Sequence, residues 1–99
     1  MTDHGARLTA DEYQERICSL YETSNLGSVK GRYLAAKSEF SLSIDFRLGV
    51  DFPQDRRDQL WNAKLLCQVR LLPASTFKLV LSDEEYECFF AGMEEQDEH

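Results

Sequence analysis

A pair of carboxylates, a pair of arginines and a run of acids around an aromatic stripe are the residues of this chain that could do chemistry. Asp45 and Asp51 lie in FSLSIDFRLGVDF, residues 40–52, which is apolar at every even position and polar or glycine at every odd one. Read at period two, both carboxylates project from one wet face, where a pair could divide acid and base roles. The plainer reading, which outweighs it, is of solvated residues that keep a strand face soluble. Arg56 and Arg57, with Lys64 and Arg70 downstream, could meet phosphates, but Asp55 and Asp58 flank the arginines and nearly cancel them. Nucleic-acid sites concentrate basic charge, so these arginines read as a charged helix turn that a protein partner could touch. Trp61 follows them; it reads first as packed, since tryptophan is highly buried on average, and second as an anchor for a partner.

Catalysis finds little support. The two histidines, His4 and His99, stand near the chain ends, where nothing holds an imidazole to the fraction of an ångström that catalysis requires. That removes Ser–His and Cys–His schemes and most imidazole metal sites. No phosphate-loop, dinucleotide-binding or HExxH pattern occurs. Cys18, Cys67 and Cys88 are 49 and 21 residues apart, which fits no zinc motif. They read as buried or half-buried thiols in a reducing compartment. The expectation is therefore no catalytic residue, no metal and no cofactor.

The sharpest feature is SDEEYECFFAGMEE, residues 82–95. Ser82 and Glu85 form a capping-box signal, and Tyr86, Phe89, Phe90 and Met93 follow at helical spacing. Eight acids fall within residues 83–98, and no lysine or arginine follows Lys78. The rest of the chain holds ten acids against eleven bases, so this segment carries −8 and the rest +1 of the net charge of −7. Such a segment repels nucleic-acid phosphates and attracts basic protein surfaces. Glu84, Glu85, Glu87 and Tyr86 are its candidate partner-binding residues, with Arg56, Arg57 and Trp61 as a second set. The competing reading lays the aromatic stripe on the domain's own core and turns the acids to water, and the two are compatible.

The elements that must position these residues read as follows. Residues 1–8 are patternless and expected to be disordered. Thr9 and Glu12 form a second capping box, and Tyr13, Ile17, Leu20 and Tyr21 recur at helical spacing, which predicts a helix over residues 10–23. Residues 28–38 fit helix or strand, with a lean to helix through RYLAAK; Gly31 weighs against it. Residues 40–52 read as a long amphipathic strand with a bend near Gly49. PQDRRDQLWN reads as a short helix. KLLCQVRLL then reads as a strand, because a helix continued to Leu72 would carry apolar residues on nearly every side. TFKLVL, with Phe77, Leu79 and Leu81 alternating, supplies a third strand. A helix over the acidic segment ends near Gly92, and residues 94–99 form an acidic tail.

The resulting expectation is one α+β domain over residues 9–93: an antiparallel β-meander of about three strands with helices on one face. Ninety-nine residues with 42% hydrophobic content suffice for one modest core. No apolar run approaches a membrane span, and no secretory signal is visible at the N-terminus, which points to the cytoplasm. The functional expectation is a small non-catalytic regulatory protein that binds a basic protein partner through its acidic C-terminal helix. Its size and charge match small acidic inhibitors of nucleic-acid machinery of phage or mobile-element type. The runner-up is a small-molecule-binding or enzyme domain with a pocket between sheet and helices. A homodimer pairing exposed strand edges is the third reading.

Overall fold

The computed structural model describes residues 6–93. Among them there is no strand: the elements are α1 (Ala10–Thr23), α2 (Val29–Arg47), α3 (Gln54–Val69), a 3₁₀ helix (Ala74–Phe77) and α4 (Asp83–Phe89). The described residues form an all-helical fold, and the expected α+β fold with a β-meander is overturned. It divides into two compact units, Met1–Arg57 and Asp58–His99. No helix of the described residues is long and apolar enough to cross a membrane.

In the first unit, α1 begins where its capping box requires. Thr9 Oγ1 accepts from the Glu12 amide at 3.1 Å, and the Glu12 carboxylate accepts from the Thr9 amide at 2.9 Å. α1 packs on α2 through a half-buried stripe; Tyr13 stacks on Phe46 with ring centroids 4.8 Å apart. The Tyr21 hydroxyl donates to the Glu39 carboxylate. Residues 6–8, within the segment expected to be disordered, run beside the end of α2. The Leu8 amide donates to the Asp45 carbonyl at 3.2 Å, the Val50 amide to the Ala6 carbonyl at 3.0 Å, and Leu8 is buried. Residues 1–5 lie outside the described residues.

The predicted strand 40–52 is the second half of α2 and the turn after it. Its even-position pattern hides a helical one. At 100° per residue, Phe40, Ile44 and Leu48 fall within about 80° of one another, and Leu42 and Phe46 cluster on the far side. Phe40, Ile44, Leu48 and Phe52 are buried, while Leu42 and Phe46 are half-buried and Val50 is exposed. The pattern is two apolar stripes on opposite sides of one helix, which mimics period two. Gly31, which weighed against a helix here, has a packing role. A Cβ at that position would stand 1.8 Å from the Asn25 carbonyl oxygen, so only glycine lets the preceding turn close onto α2. The bend expected near Gly49 is present as a helix end: Gly49 has φ 136°, and its amide donates to the Ile44 carbonyl at 3.0 Å.

In the second unit, the predicted strand over residues 64–72 is the remainder of α3, which ends at Val69. Leu60, Trp61, Ala63 and Cys67 are buried, whereas Leu66 and Val69 are exposed. The helix is apolar on several sides, as its sequence implies, and it leaves part of that surface in water. The predicted strand 76–81 is the 3₁₀ helix and a turn. Lys78 and Val80 amides donate to carbonyls three residues back, at 3.2 Å each, and the Leu81 amide reaches back four, to Phe77, at 3.0 Å. With no neighbouring strand to supply partners, the backbone satisfies itself locally. α4 starts as expected at Ser82, and its aromatic stripe faces inward, with Tyr86 and Phe90 buried.

Candidate functional site

Helix α4 and the turn before it carry the strongest of the predicted site residues. The Ser82 hydroxyl accepts from the Glu85 amide at 3.1 Å, and the Glu85 carboxylate accepts from the Ser82 amide at 2.9 Å. Glu85 is thereby a helix cap and is buried. Tyr86 lies against Phe90 with centroids 6.1 Å apart, and Phe90 against Phe77 at 6.2 Å. Lys78 Nζ stands 5.4 Å from the centre of the Tyr86 ring, a cation–π distance. Lys78, Asp83, Tyr86 and Glu87 line a shallow concavity of about 230 Å³. Of the four acidic-segment candidates, Glu87 is exposed, Glu84 half-buried, and Glu85 and Tyr86 are inside. Asp83 is exposed beside them, so the outward acids of the described helix are Asp83 and Glu87, with Glu84 at their edge.

The second set of candidates is placed differently. Arg57 is only 7% exposed. Its Nε donates to the Phe52 carbonyl at 2.9 Å, and one terminal nitrogen donates to the Ser41 carbonyl at 3.1 Å and hydroxyl at 2.9 Å. The other terminal nitrogen meets the carbonyls of Gly49 and Val50, each at 3.2 Å, and the Asp45 carboxylate at 2.7 Å. All five guanidinium donors are engaged. Arg57 therefore clamps the turn that ends α2. Arg56 is half-buried, and Trp61 is buried with Lys64 Nζ 5.6 Å from its ring centre. Asp45 does not share a wet face with Asp51: it is half-buried against Arg57, while Asp51 is exposed in the following turn. A divided acid–base pair has no geometry here.

Sequence reasoning missed an apolar groove on the second unit. Gln59, Asn62, Ala63 and Leu66 form one wall, and Phe77, Val80 and Leu81 the other, around about 350 Å³. A second hollow of about 400 Å³ adjoins it through the shared Asn62 and Leu66, and adds Leu65, Val69 and Arg70. Gln59, Asn62, Leu66 and Val69 recur at i, i+3, i+7 and i+10, a single stripe along α3. The signal that could have found it was the excess of apolar positions over what one buried face of a helix can hold. Read as a reason to reject the helix, that excess was in fact surface. The lining is apolar with amide groups at one end, which suits apolar side chains of another polypeptide rather than a charged substrate.

Among the described residues, no group of three or more His, Cys, Asp or Glu side chains is placed to hold a metal ion. Cys67 is buried, Cys88 half-buried and Cys18 exposed, and none of them is in a disulfide. No family model matches the chain, and neither a curated protein nor a solved structure matches it.

Proposed function

We propose that the chain is a small non-catalytic interaction protein that engages a basic protein surface through the outward acids of α4. The observation that carries this reading is the division of that helix. Its aromatic residues Tyr86 and Phe90 are buried, while Asp83 and Glu87 are exposed. The sequence continues with four more acids and no lysine or arginine. Charge of one sign held on a packed helix gives a partner a fixed geometry as well as long-range attraction. A basic surface is the matching partner, and proteins that hold nucleic-acid phosphates carry such surfaces, which keeps the inhibitor setting in view. The alternative of a ligand pocket between sheet and helices has lost the sheet that formed one of its walls.

The test is association kinetics with a basic partner captured from native extract, across a salt series. Asp83→Asn with Glu87→Gln neutralises both outward acids and leaves the Ser82–Glu85 cap intact. The double variant is expected to slow association several-fold at low salt and to flatten the salt dependence, with helix content unchanged. An unchanged rate and salt slope would remove the acidic face as the binding surface.

A further inference from the structure

We infer that the N-terminal turns of α2 form a separate, basic binding surface that takes a short acidic amphipathic helix of a partner protein. Residues 23–38 hold Lys30, Arg32 and Lys37 and no acid, in a chain of net charge −7. At 100° per residue, Val29, Tyr33 and Ala36 fall within about 60° of one another. All three are exposed, Val29 to 76% and Tyr33 to 44%. They stand on the side of α2 that carries Phe40 and Ile44 further along, where both are buried. One continuous stripe of a single helix is therefore core at one end and open to water at the other.

The bases border the open end of that stripe. By the same geometry Lys30 and Lys37 fall on one side of it and Arg32 on the other, each within about 60° of the nearest stripe residue. All three bases are exposed. Lys30 and Lys37 form no salt bridge with another described residue, and the Arg32 guanidinium donates only to the Leu26 carbonyl, at 3.2 Å. Glu39, the next acid along α2, is engaged by the Tyr21 hydroxyl. An apolar line with positive charge on both borders is complementary to an apolar line with carboxylates on both borders.

Length and charge select a protein segment as the occupant. From Val29 to Ala36 the stripe runs about 10 Å at the helical rise, which matches about two turns of a docked helix. A nucleic-acid strand or an anionic bilayer presents negative charge far beyond that length, and the rest of this acidic chain repels it. Base stacking also needs a row of aromatic side chains, and Tyr33 is the single aromatic residue of the segment 23–38.

This inference does not rest on the acidic-surface reading, and its test separates the two. The full chain is used to select binders from a displayed library of random peptides of about 16 residues, long enough for several helical turns. Acidic peptides with apolar residues at helical spacing are expected to be enriched. For an enriched peptide, fluorescence anisotropy should show binding that weakens as salt rises. Val29→Asp, at a position mostly in solvent, should weaken it at least about tenfold with helix content unchanged, as should Lys30→Gln with Lys37→Gln. Asp83→Asn with Glu87→Gln, which tests the acidic surface, should leave the affinity within about threefold, and so should Leu79→Asp. Enrichment of no peptide or of basic and neutral peptides alone would overturn the proposal. So would equal binding of an acidic peptide by Val29→Asp, tighter binding of a dT oligonucleotide or of phosphatidylserine vesicles than of the peptide, or a self-association of the chain that Val29→Asp abolishes.

Discussion

The residue that most changes its meaning between sequence and structure is Arg57. In sequence it is one of two arginines in a charge-balanced turn; in the fold it is buried and bonded to Asp45, to Ser41 and to the carbonyls that end α2. Removing the guanidinium would strand the Asp45 carboxylate and several carbonyls in a dry setting. Arg57→Met is therefore expected to cost about 3–5 kcal/mol in urea unfolding, and Asp45→Asn distinctly less, since the amide can still accept. A loss below about 1 kcal/mol for Arg57→Met would mean that water replaces the clamp. At the same scale, the hydrogen bond to Glu39, reinforced by burial and by the Glu39 charge, raises the Tyr21 hydroxyl above its ordinary tyrosine value. The protonated form is thus favoured by folding. That contribution is fully present below the ordinary tyrosine range and is lost as pH rises through the higher folded value. Wild type should lose more stability than Tyr21→Phe over this alkaline window; parallel curves would show that the bond does not form.

At the scale of elements, the test falls on α2. A strand would bury Ile44 and Val50 alike, because they share parity. The helix buries Ile44 completely, and the turn after it leaves Val50 47% exposed. Ile44→Ala should cost about 2–5 kcal/mol and Val50→Ala under about 1, by chemical denaturation; equal losses would favour the strand. Glycines divide in the same way. Gly31→Ala drives a Cβ into the Asn25 carbonyl and should destabilise by about 1–3 kcal/mol. Gly92→Ala meets nothing within 4 Å and should be neutral or slightly stabilising. Both capping boxes, Thr9–Glu12 and Ser82–Glu85, were legible in the sequence because a cap is a bond between residues three apart and needs no tertiary partner. The expected strands were not strands because period two and a doubly buried helix produce the same string. In residues 64–81 strand pairing would put Val69, Leu71 and Leu79 on covered faces, whereas all three are exposed.

For the whole molecule, the charge distribution is a property of composition, and the expected response follows from it: association of the proposed basic partner with the outward acids Asp83 and Glu87 should weaken as salt rises. Neither a reductant nor a chelator should move the thermal midpoint, since no disulfide joins the three cysteines and no three-ligand cluster stands among the described residues. A drop of several degrees with either reagent would reveal a cross-link or a bound ion. The sequence by itself determined what is local or additive: two helix starts, the helical spacing of the aromatic stripe of α4, and an acidic end on an otherwise nearly neutral chain. Only the tertiary structure decided which charged residues are interior, because the environment of Arg57 comes from Ser41, Asp45, Gly49, Val50 and Phe52, which touch it only once the end of α2 has turned. It alone decided, too, that Leu66, Val69, Leu79 and Val80 stay in water. Apolar character states what a side chain gains by burial, and whether a neighbour is there to bury it depends on the packing of elements far apart in the chain.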